Sequence, residues 1–96
     1  MFSYVYILRC ADGTYYTGVT NNVYIRFDEH QDGKHSGSYT FSRRPVELVF
    51  YEQFTDITVA INFEKKIKKW SKAKKEALIE GRYKDLPNLA RKNFGK

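Results

Sequence analysis

Two short tyrosine-bearing segments stand near the start of the chain, YVY at 4–6 and YTG at 16–18. A phenol hydroxyl can donate or accept a proton, so Tyr6 and Tyr16 could form the beginnings of a catalytic site if they faced one cleft. Tyrosines in a strand are more often packing residues. The choice between these interpretations depends on whether the two side chains point to the same face.

The turn between the two segments decides that question. It contains an Asp-Gly dipeptide, which is typical of a hairpin and fits two loops. A two-residue turn would place Tyr6 and Tyr16 on opposite faces, because side chains alternate along a strand. A three-residue loop over 11–13, with Gly13 left-handed, would place both on one face. It would also set Gly18 opposite Tyr6 and leave a gap where a ligand could approach. The hairpin alone leaves both loops open.

The elements that must position these residues follow from the apolar spacing. The pattern predicts strands over 3–10, 15–20 and 46–54, and helices over 23–31, 57–70, 72–80 and 85–94. The expected buried stripes are, in the first helix, Val23, Phe27 and His30 and, in the second, Val59, Phe63, Ile67 and Trp70. The expected caps are Asn21 or Asn22, Thr55 or Asp56, and Ser71, with Gly33 and Gly81 at helix ends. The sequence thus predicts an α+β fold, a small three-stranded antiparallel sheet flanked by helices in the order ββαβααα.

Length and composition restrict the class of protein. The 96 residues suit a single domain over 1–96, with a core at about 3–80 and a basic helical part over 81–96. Cys10 is the only cysteine, so no internal disulfide can form. No apolar run reaches the roughly 18 residues of a membrane helix. The first residues lack the features of a secretory leader, so we expect a cytoplasmic protein.

The positive charge is concentrated in the last third of the chain. The net charge is +6, but residues 1–63 hold 5 Lys/Arg against 7 Asp/Glu, whereas residues 64–96 hold 12 against 4. Such a basic region indicates an acidic partner, nucleic acid before a membrane, or simply a solvated lysine-rich helix face. Cys10, His30 and His35 lack the paired spacing of a structural zinc site.

The ordered set of motifs resembles the GIY-YIG nuclease domain, and most closely the short, stand-alone bacterial branch of that family. YVY at 4–6 matches the first triplet, and YTG at 16–18 matches the second. Arg26 matches the arginine on the following helix, His30 the His/Tyr one turn beyond it, and Glu64 the metal-binding glutamate of a later helix. The resemblance implies the three-residue loop, because both tyrosines then line one cleft.

The resemblance also implies roles for these residues in a metal-dependent endonuclease acting on DNA, at branched, distorted or damaged structures. Tyr6 would be the general base and Tyr16 would position the water or the phosphate. Arg26 would hold the phosphate and stabilise the transition state, His30 would share the base role, and Glu64 would bind Mg²⁺ or Mn²⁺. The expected nucleic-acid contacts are Gly18, Lys34, Arg43, Arg44, Lys65, Lys68, Lys69 and Lys72, joined along the basic helices by Lys66, Lys74 and Lys75.

Other interpretations remain open from the sequence. Glu64 could pair with Lys68 one turn on, and His30 could be a hydrogen-bonded core histidine. Tyr4 replaces the first glycine of the signature, and Val19 stands where some relatives carry a lysine. The alternatives are therefore a nuclease-like module that binds nucleic acid without cutting it, or an RNA nuclease. Target choice would come from a partner protein, a homodimer or structure-selective binding.

Overall fold

A computed structural model describes residues 1–86 and confirms the α+β class. The strands are β1 (Ser3–Arg9), β2 (Tyr15–Thr20) and β3 (Glu47–Phe54), and the helices are α1 (Val23–Asp32), α2 (Ile57–Lys68) and α3 (Lys72–Ile79). Short 3-10 turns follow at Phe41–Arg43 and Tyr83–Asp85. The helix predicted over 85–94 lies almost wholly outside the described residues. Within the described part, no helix has both the length and the apolar character needed to cross a membrane.

The hairpin between β1 and β2 has the three-residue loop. The Cys10 amide donates to the Thr14 carbonyl at 2.8 Å, and Gly13 adopts φ 84°, a left-handed conformation that suits glycine. Tyr6 pairs with Gly18, and Leu8 pairs with Tyr16. Directly paired residues share a face, so Tyr6 and Tyr16 lie on the same side of the sheet.

The sheet has the antiparallel order β2-β1-β3, and its two faces form two separate cores. On one face Val5 and Ile7 of β1 pack with Ala60, Ile67 and Leu78 of α2 and α3. On the other face the buried residues are Tyr6, Leu8, Cys10 and Val46, and Phe27 of α1 packs against them. Because β1 is central and covered on both sides, it can be apolar throughout.

Local capping explains where the helices begin and end. Asn22 accepts a hydrogen bond from the Ile25 amide and starts α1, and Gly33 ends it at φ 71°. Asp56 and Ser71 cap α2 and α3 in the same way. The capping predictions are confirmed, with Asn22 and Asp56 as the residues used.

The buried face of α2 differs from the predicted stripe at one position. Val59 is 51% exposed, whereas Ala60 is fully buried and packs with Ile67 and the half-buried Phe63. The prediction for Val59 was therefore wrong. A small alanine at the contact lets the helix approach the sheet closely, so the buried stripe begins one residue later than hydrophobicity alone indicates.

Candidate active site

Tyr6 and His30 form the centre of the site. The Tyr6 hydroxyl lies 3.0 Å from His30 Nε2, and His30 Nδ1 lies 2.7 Å from Thr40 Oγ1. Thr40 Oγ1 lies in turn 3.1 Å from Ser38 Oγ. The Tyr6 side chain is 1% exposed, and His30 and Thr40 are also buried. A continuous hydrogen-bond chain therefore runs from β1 through α1 into the loop that follows it.

Burial keeps both partners neutral near pH 7. Burial raises the pKa of Tyr6 well above its usual range, and Tyr16 adds to the increase, while the nearby Arg26 guanidinium acts in the opposite direction. Burial also lowers the pKa of His30, and the positive charges of Arg26 and His35 lower it further. In neutral His30 one ring nitrogen donates and the other accepts, so each ring nitrogen has one suitable hydroxyl partner.

Tyr16 closes the site on the side of the edge strand β2. Its ring centroid lies 5.0 Å from that of His30 and 6.2 Å from that of Tyr6. The Tyr39 ring stacks on Tyr16 at 6.2 Å, and the Arg43 guanidinium lies 3.8 Å from the Tyr39 centroid. These contacts hold the loop over residues 33–45 against the hairpin, and they bring Thr40 to His30.

Arg26 lies beside Tyr6 and is held by a carboxylate of its own helix. Its Nε donates to Glu29 Oε1 at 3.1 Å, and Glu29 also binds Lys34 at 3.3 Å. The Lys34 hydrogen bond, with the charge of Arg26, keeps the pKa of Glu29 below its usual range. The Arg26 side chain is partly exposed, so a surface ion pair of this kind is weak enough for a phosphate to displace.

Glu64 is the carboxylate that the family resemblance assigns to a divalent cation. Its side chain is 13% exposed, and Oε2 lies 3.6 Å from Lys68 Nζ. Residues 1–86 contain no cluster of three or more histidine, cysteine or acidic side chains that could cage a metal ion. Mg²⁺ usually keeps several waters and takes one or two carboxylates plus substrate phosphates. The donor set therefore fits a cation that is completed by water and substrate.

Gly18 does not leave the open space beside Tyr6 that the sequence predicts. A side-chain carbon built on Gly18 would lie 2.6 Å from the Tyr6 hydroxyl oxygen. The space beside Gly18 is therefore occupied by the Tyr6 ring itself and is not an open gap, so that expectation was wrong. Glycine at this position allows Tyr6 to reach His30.

The lysines and arginines predicted to contact nucleic acid differ in their exposure and in the groups they contact. Lys65, Lys68, Lys69 and Lys72 are exposed on or near α2 and α3. Lys68 and Lys75 line a cleft of about 310 Å³ together with Tyr16, Thr17 and Tyr39, along the free edge of β2. The remaining three cations make internal contacts: Lys34 binds Glu29, Arg43 binds Asp12, and Arg44 donates to the Phe41 carbonyl.

Lys74 does not belong to the basic surface. It is buried, and its ammonium lies 4.0 Å from the Trp70 ring centroid. Burial lowers its pKa below the usual value. Its role is to cover the tryptophan with its aliphatic stem and charge, and the expectation that it tracks a phosphate backbone was wrong.

Thr40 is the site residue that sequence reasoning missed. It lies in a Gly/Ser-rich loop, where hydroxyl residues are ordinary, and it contacts His30 only because Tyr39 and Arg43 fix that loop. The signal available in the sequence was the Tyr-Thr-Phe run at 39–41, in which a hydroxyl residue stands between two aromatic residues.

Comparisons with known proteins identify the family. The model of the GIY-YIG catalytic domain matches residues 2–77. A UPF0213 protein of Syntrophus aciditrophicus is 47% identical over 78 residues, which cover 81% of this chain and 90% of that protein. A UPF0213 protein of Natronomonas pharaonis is 50% identical over 76 residues, which cover 79% of this chain and 88% of that protein.

A solved structure supports the same relationship. The solution NMR structure of a UPF0213 protein from Bacillus halodurans is 41% identical in sequence, with a TM-score of 0.54 over 83% of this chain and 84% of that one. Fold, motif order and sequence identity agree. The chain belongs to the GIY-YIG domain family, a family of nucleases, and is related to its UPF0213 members.

Proposed function

We propose that the protein is a metal-dependent endonuclease that hydrolyses phosphodiester bonds in DNA. The observation that carries this proposal is the hydrogen bond between the Tyr6 hydroxyl and His30 Nε2 at 3.0 Å, with Arg26 beside it. The arrangement combines a proton acceptor and a cation on one face of the sheet. Both are needed to attack a phosphodiester.

The raised pKa of Tyr6 determines how it could act as a base. At neutral pH the resting form is the phenol, so Tyr6 can take a proton from water only by giving its own proton to His30. Neutral His30 has a lone pair on Nε2 when Nδ1 donates to Thr40. The attacking water would lose its proton to the Tyr6 oxygen while the Tyr6 proton moves to Nε2. The water oxygen bonds to phosphorus as the bond to the 3′ oxygen breaks. The departing 3′ alkoxide would take a proton from solvent water, and the imidazolium of His30 would return its proton to solvent.

Arg26 would bind the phosphate and stabilise the charge that builds on it. The guanidinium presents several donors in a fixed geometry that suits phosphoryl oxygens. Because Arg26 interacts with both Glu29 and Tyr6, a phosphate that replaces Glu29 at the guanidinium would lie close to the Tyr6 hydroxyl.

Glu64 would hold the divalent cation, Mg²⁺ or Mn²⁺. The cation, when bound, supplies Lewis-acid stabilisation of the leaving oxygen. Lys68 pairs with Glu64 across one helical turn and must be displaced, which costs little because such pairs contribute only about 0.3–0.5 kcal/mol. Lys68 would then be free to contact the phosphate backbone in the cleft that it shares with Lys75 and Tyr16.

A cleavage assay on a panel of substrates tests the proposal. Single-stranded, duplex and branched DNA, and RNA of the same sequence, would be incubated with Mg²⁺, Mn²⁺ or chelator. Arg26→Ala and Glu64→Ala should abolish metal-dependent cutting. The matched controls Arg9→Ala and Glu52→Ala remove exposed charges elsewhere on the sheet and should cut normally.

The assay also separates the rival functions. If none of the substrates is cut, but wild type and Glu64→Ala bind DNA equally and in a salt-dependent way, the protein is a binding module. Cutting confined to RNA would replace DNA as the substrate class while leaving the assigned residues in place.

A further inference from the structure

A cluster of three tyrosines lies next to the proposed active site but takes no part in it. The Tyr51 ring makes edge-on contacts with Tyr4 at 6.2 Å and with Tyr24 at 6.3 Å, both at an interplanar angle of 70°. Tyr24 is 65% exposed and Tyr51 is 47% exposed. Two large aromatic surfaces therefore face solvent side by side, which packing alone does not require.

The cluster borders a cleft of about 300 Å³ with an uncharged lining. Asn21, Asn22 and Gln53 contribute to its wall beside the tyrosines. Among the described residues none of the lining side chains is charged. A cleft of phenol and amide groups suits a neutral, planar ligand with hydrogen-bonding edges, and it does not suit a phosphate.

The cleft borders the proposed active site through one strand pair. Tyr51 of β3 pairs with Tyr6 of β1, so the two side chains are neighbours on one face of the sheet. Tyr24 contacts Tyr51 and belongs to α1, the helix that also carries Arg26. A nucleotide whose phosphate contacts Arg26 could therefore present an adjoining base to Tyr24 and Tyr51.

We propose that the tyrosine cleft binds an unpaired nucleobase next to the phosphate that the enzyme attacks. The inference rests on the proposed function, because it assumes a nucleic-acid substrate at Arg26. Aromatic side chains stack on unpaired bases, and asparagine and glutamine side chains pair with base edges. A paired base must first be unstacked and unpaired to enter the cleft, which costs free energy. The cleft would thus direct the enzyme to single strands, flaps and distorted sites.

Binding measurements in chelator test the inference without relying on cleavage. A labelled single-stranded DNA, its duplex form, an RNA version and a series carrying one abasic position each would be titrated with wild type, Tyr24→Leu and Tyr51→Leu. Tyr83→Leu is the matched control, since Tyr83 is an exposed tyrosine outside this cleft. Each cleft variant should bind the single strand about tenfold more weakly and bind the duplex as wild type does.

One abasic position should weaken wild-type binding by the same factor and have no further effect in the cleft variants. Equal losses on single strand and duplex, or a loss of the same size in Tyr83→Leu, would overturn the inference. So would a wild-type dimer that becomes monomeric in both cleft variants, because the occupant would then be a second copy of the chain. If the cleft variants lose affinity only for RNA, the cleft is a base-binding site and its base comes from an RNA strand.

Cleavage measurements then separate the two proposals. If wild type cuts nothing in Mg²⁺ but shows the base-dependent binding, the proposed function fails and the base site remains. If the cleft variants cut single strands and duplexes in the same ratio as wild type, the base site fails and the endonuclease remains.

Discussion

The two faces of strand β1 contact different kinds of side chain. On one face Val5 and Ile7 meet the aliphatic residues of α2 and α3, and the core is held by burial of apolar surface. On the other face Tyr6 and Leu8 meet Tyr16 and His30, and the buried polar atoms have hydrogen-bond partners. One strand therefore separates a face that stabilises the fold from a face that holds titratable groups neutral and close together.

The two faces also differ in whether a buried threonine hydroxyl has a hydrogen-bond partner. Thr40 Oγ1 lies 2.7 Å from His30 Nδ1, whereas Thr17 Oγ1, on the aliphatic side of β2, has no hydrogen-bond partner within the described residues. A buried polar group without a partner costs stability, and one with a partner can fix the geometry of a site. The buried hydroxyl that has a hydrogen-bond partner is therefore the one on the Tyr6 face of the sheet.

The largest loss of stability is expected for the matched pair of variants Ile7→Ala and Leu8→Ala. Both side chains are fully buried and similar in size, so each substitution should lower the free energy of unfolding by about 2–5 kcal/mol. Only Leu8→Ala should also reduce cleavage per folded molecule, because Leu8 pairs with Tyr16. Denaturant unfolding and single-turnover cleavage measure the two quantities. Equal cleavage by the two variants would show that the faces do not differ in function.

Gly18→Ala should disturb the polar face alone. The added carbon would clash with the Tyr6 ring and hydroxyl and should lower the free energy of unfolding by about 1–3 kcal/mol. Because Tyr6 must move away from His30, the cleavage rate per folded molecule should also fall. Gly37→Ala is the control, since a side-chain carbon there meets no atom within 4 Å. Wild-type cleavage by Gly18→Ala would contradict the packing described for Tyr6.

Two threonine-to-valine substitutions should have opposite effects. Thr17→Val removes a hydroxyl that has no partner within residues 1–86 and should raise the free energy of unfolding by about 1 kcal/mol. Thr40→Val removes the partner of His30 and should lower it by about 1–3 kcal/mol, together with cleavage. Thr40→Ser should restore both. If Thr40→Val cuts as fast as wild type, the His30–Thr40 hydrogen bond has no role in catalysis.

The free energy of unfolding should fall at both acidic and alkaline pH. The lowered pKa of His30 means that the unfolded chain binds a proton more readily, so stability should fall as the pH drops below 6.5. The raised pKa of Tyr6 means that the unfolded chain loses its proton first, so stability should also fall as the pH rises above 10.0. Urea unfolding across this range should show that Tyr6→Phe reduces the alkaline loss of stability and that His30→Asn reduces the loss just below pH 6.5. Part of the alkaline loss should remain in Tyr6→Phe, because the pKa values of Cys10, Tyr15 and Tyr51 are also raised. An unchanged profile in both variants would contradict the burial of these groups.

The local elements could be predicted from the sequence, whereas the contacts between them could not. The caps of α1, α2 and α3 and the left-handed Gly33 are decided within a few residues, so composition and spacing identify them. The hairpin loop needed the family resemblance, since an Asp-Gly dipeptide fits two registers. The exposure of Val59 depends on how closely α2 approaches the sheet. The contact between Thr40 and His30 depends on a loop held by Tyr39 and Arg43, which no local pattern encodes.

Single-turnover cleavage by Tyr6→Phe in saturating Mg²⁺ tests the central claim most directly. The substitution removes one oxygen and leaves the ring that packs against Gly18, so the fold and DNA binding should remain. If Tyr6 passes a proton from the attacking water to His30, cleavage should fall about 10²–10⁴-fold while substrate affinity is unchanged. Cleavage at the wild-type rate would contradict the proton transfer through Tyr6 and require another base.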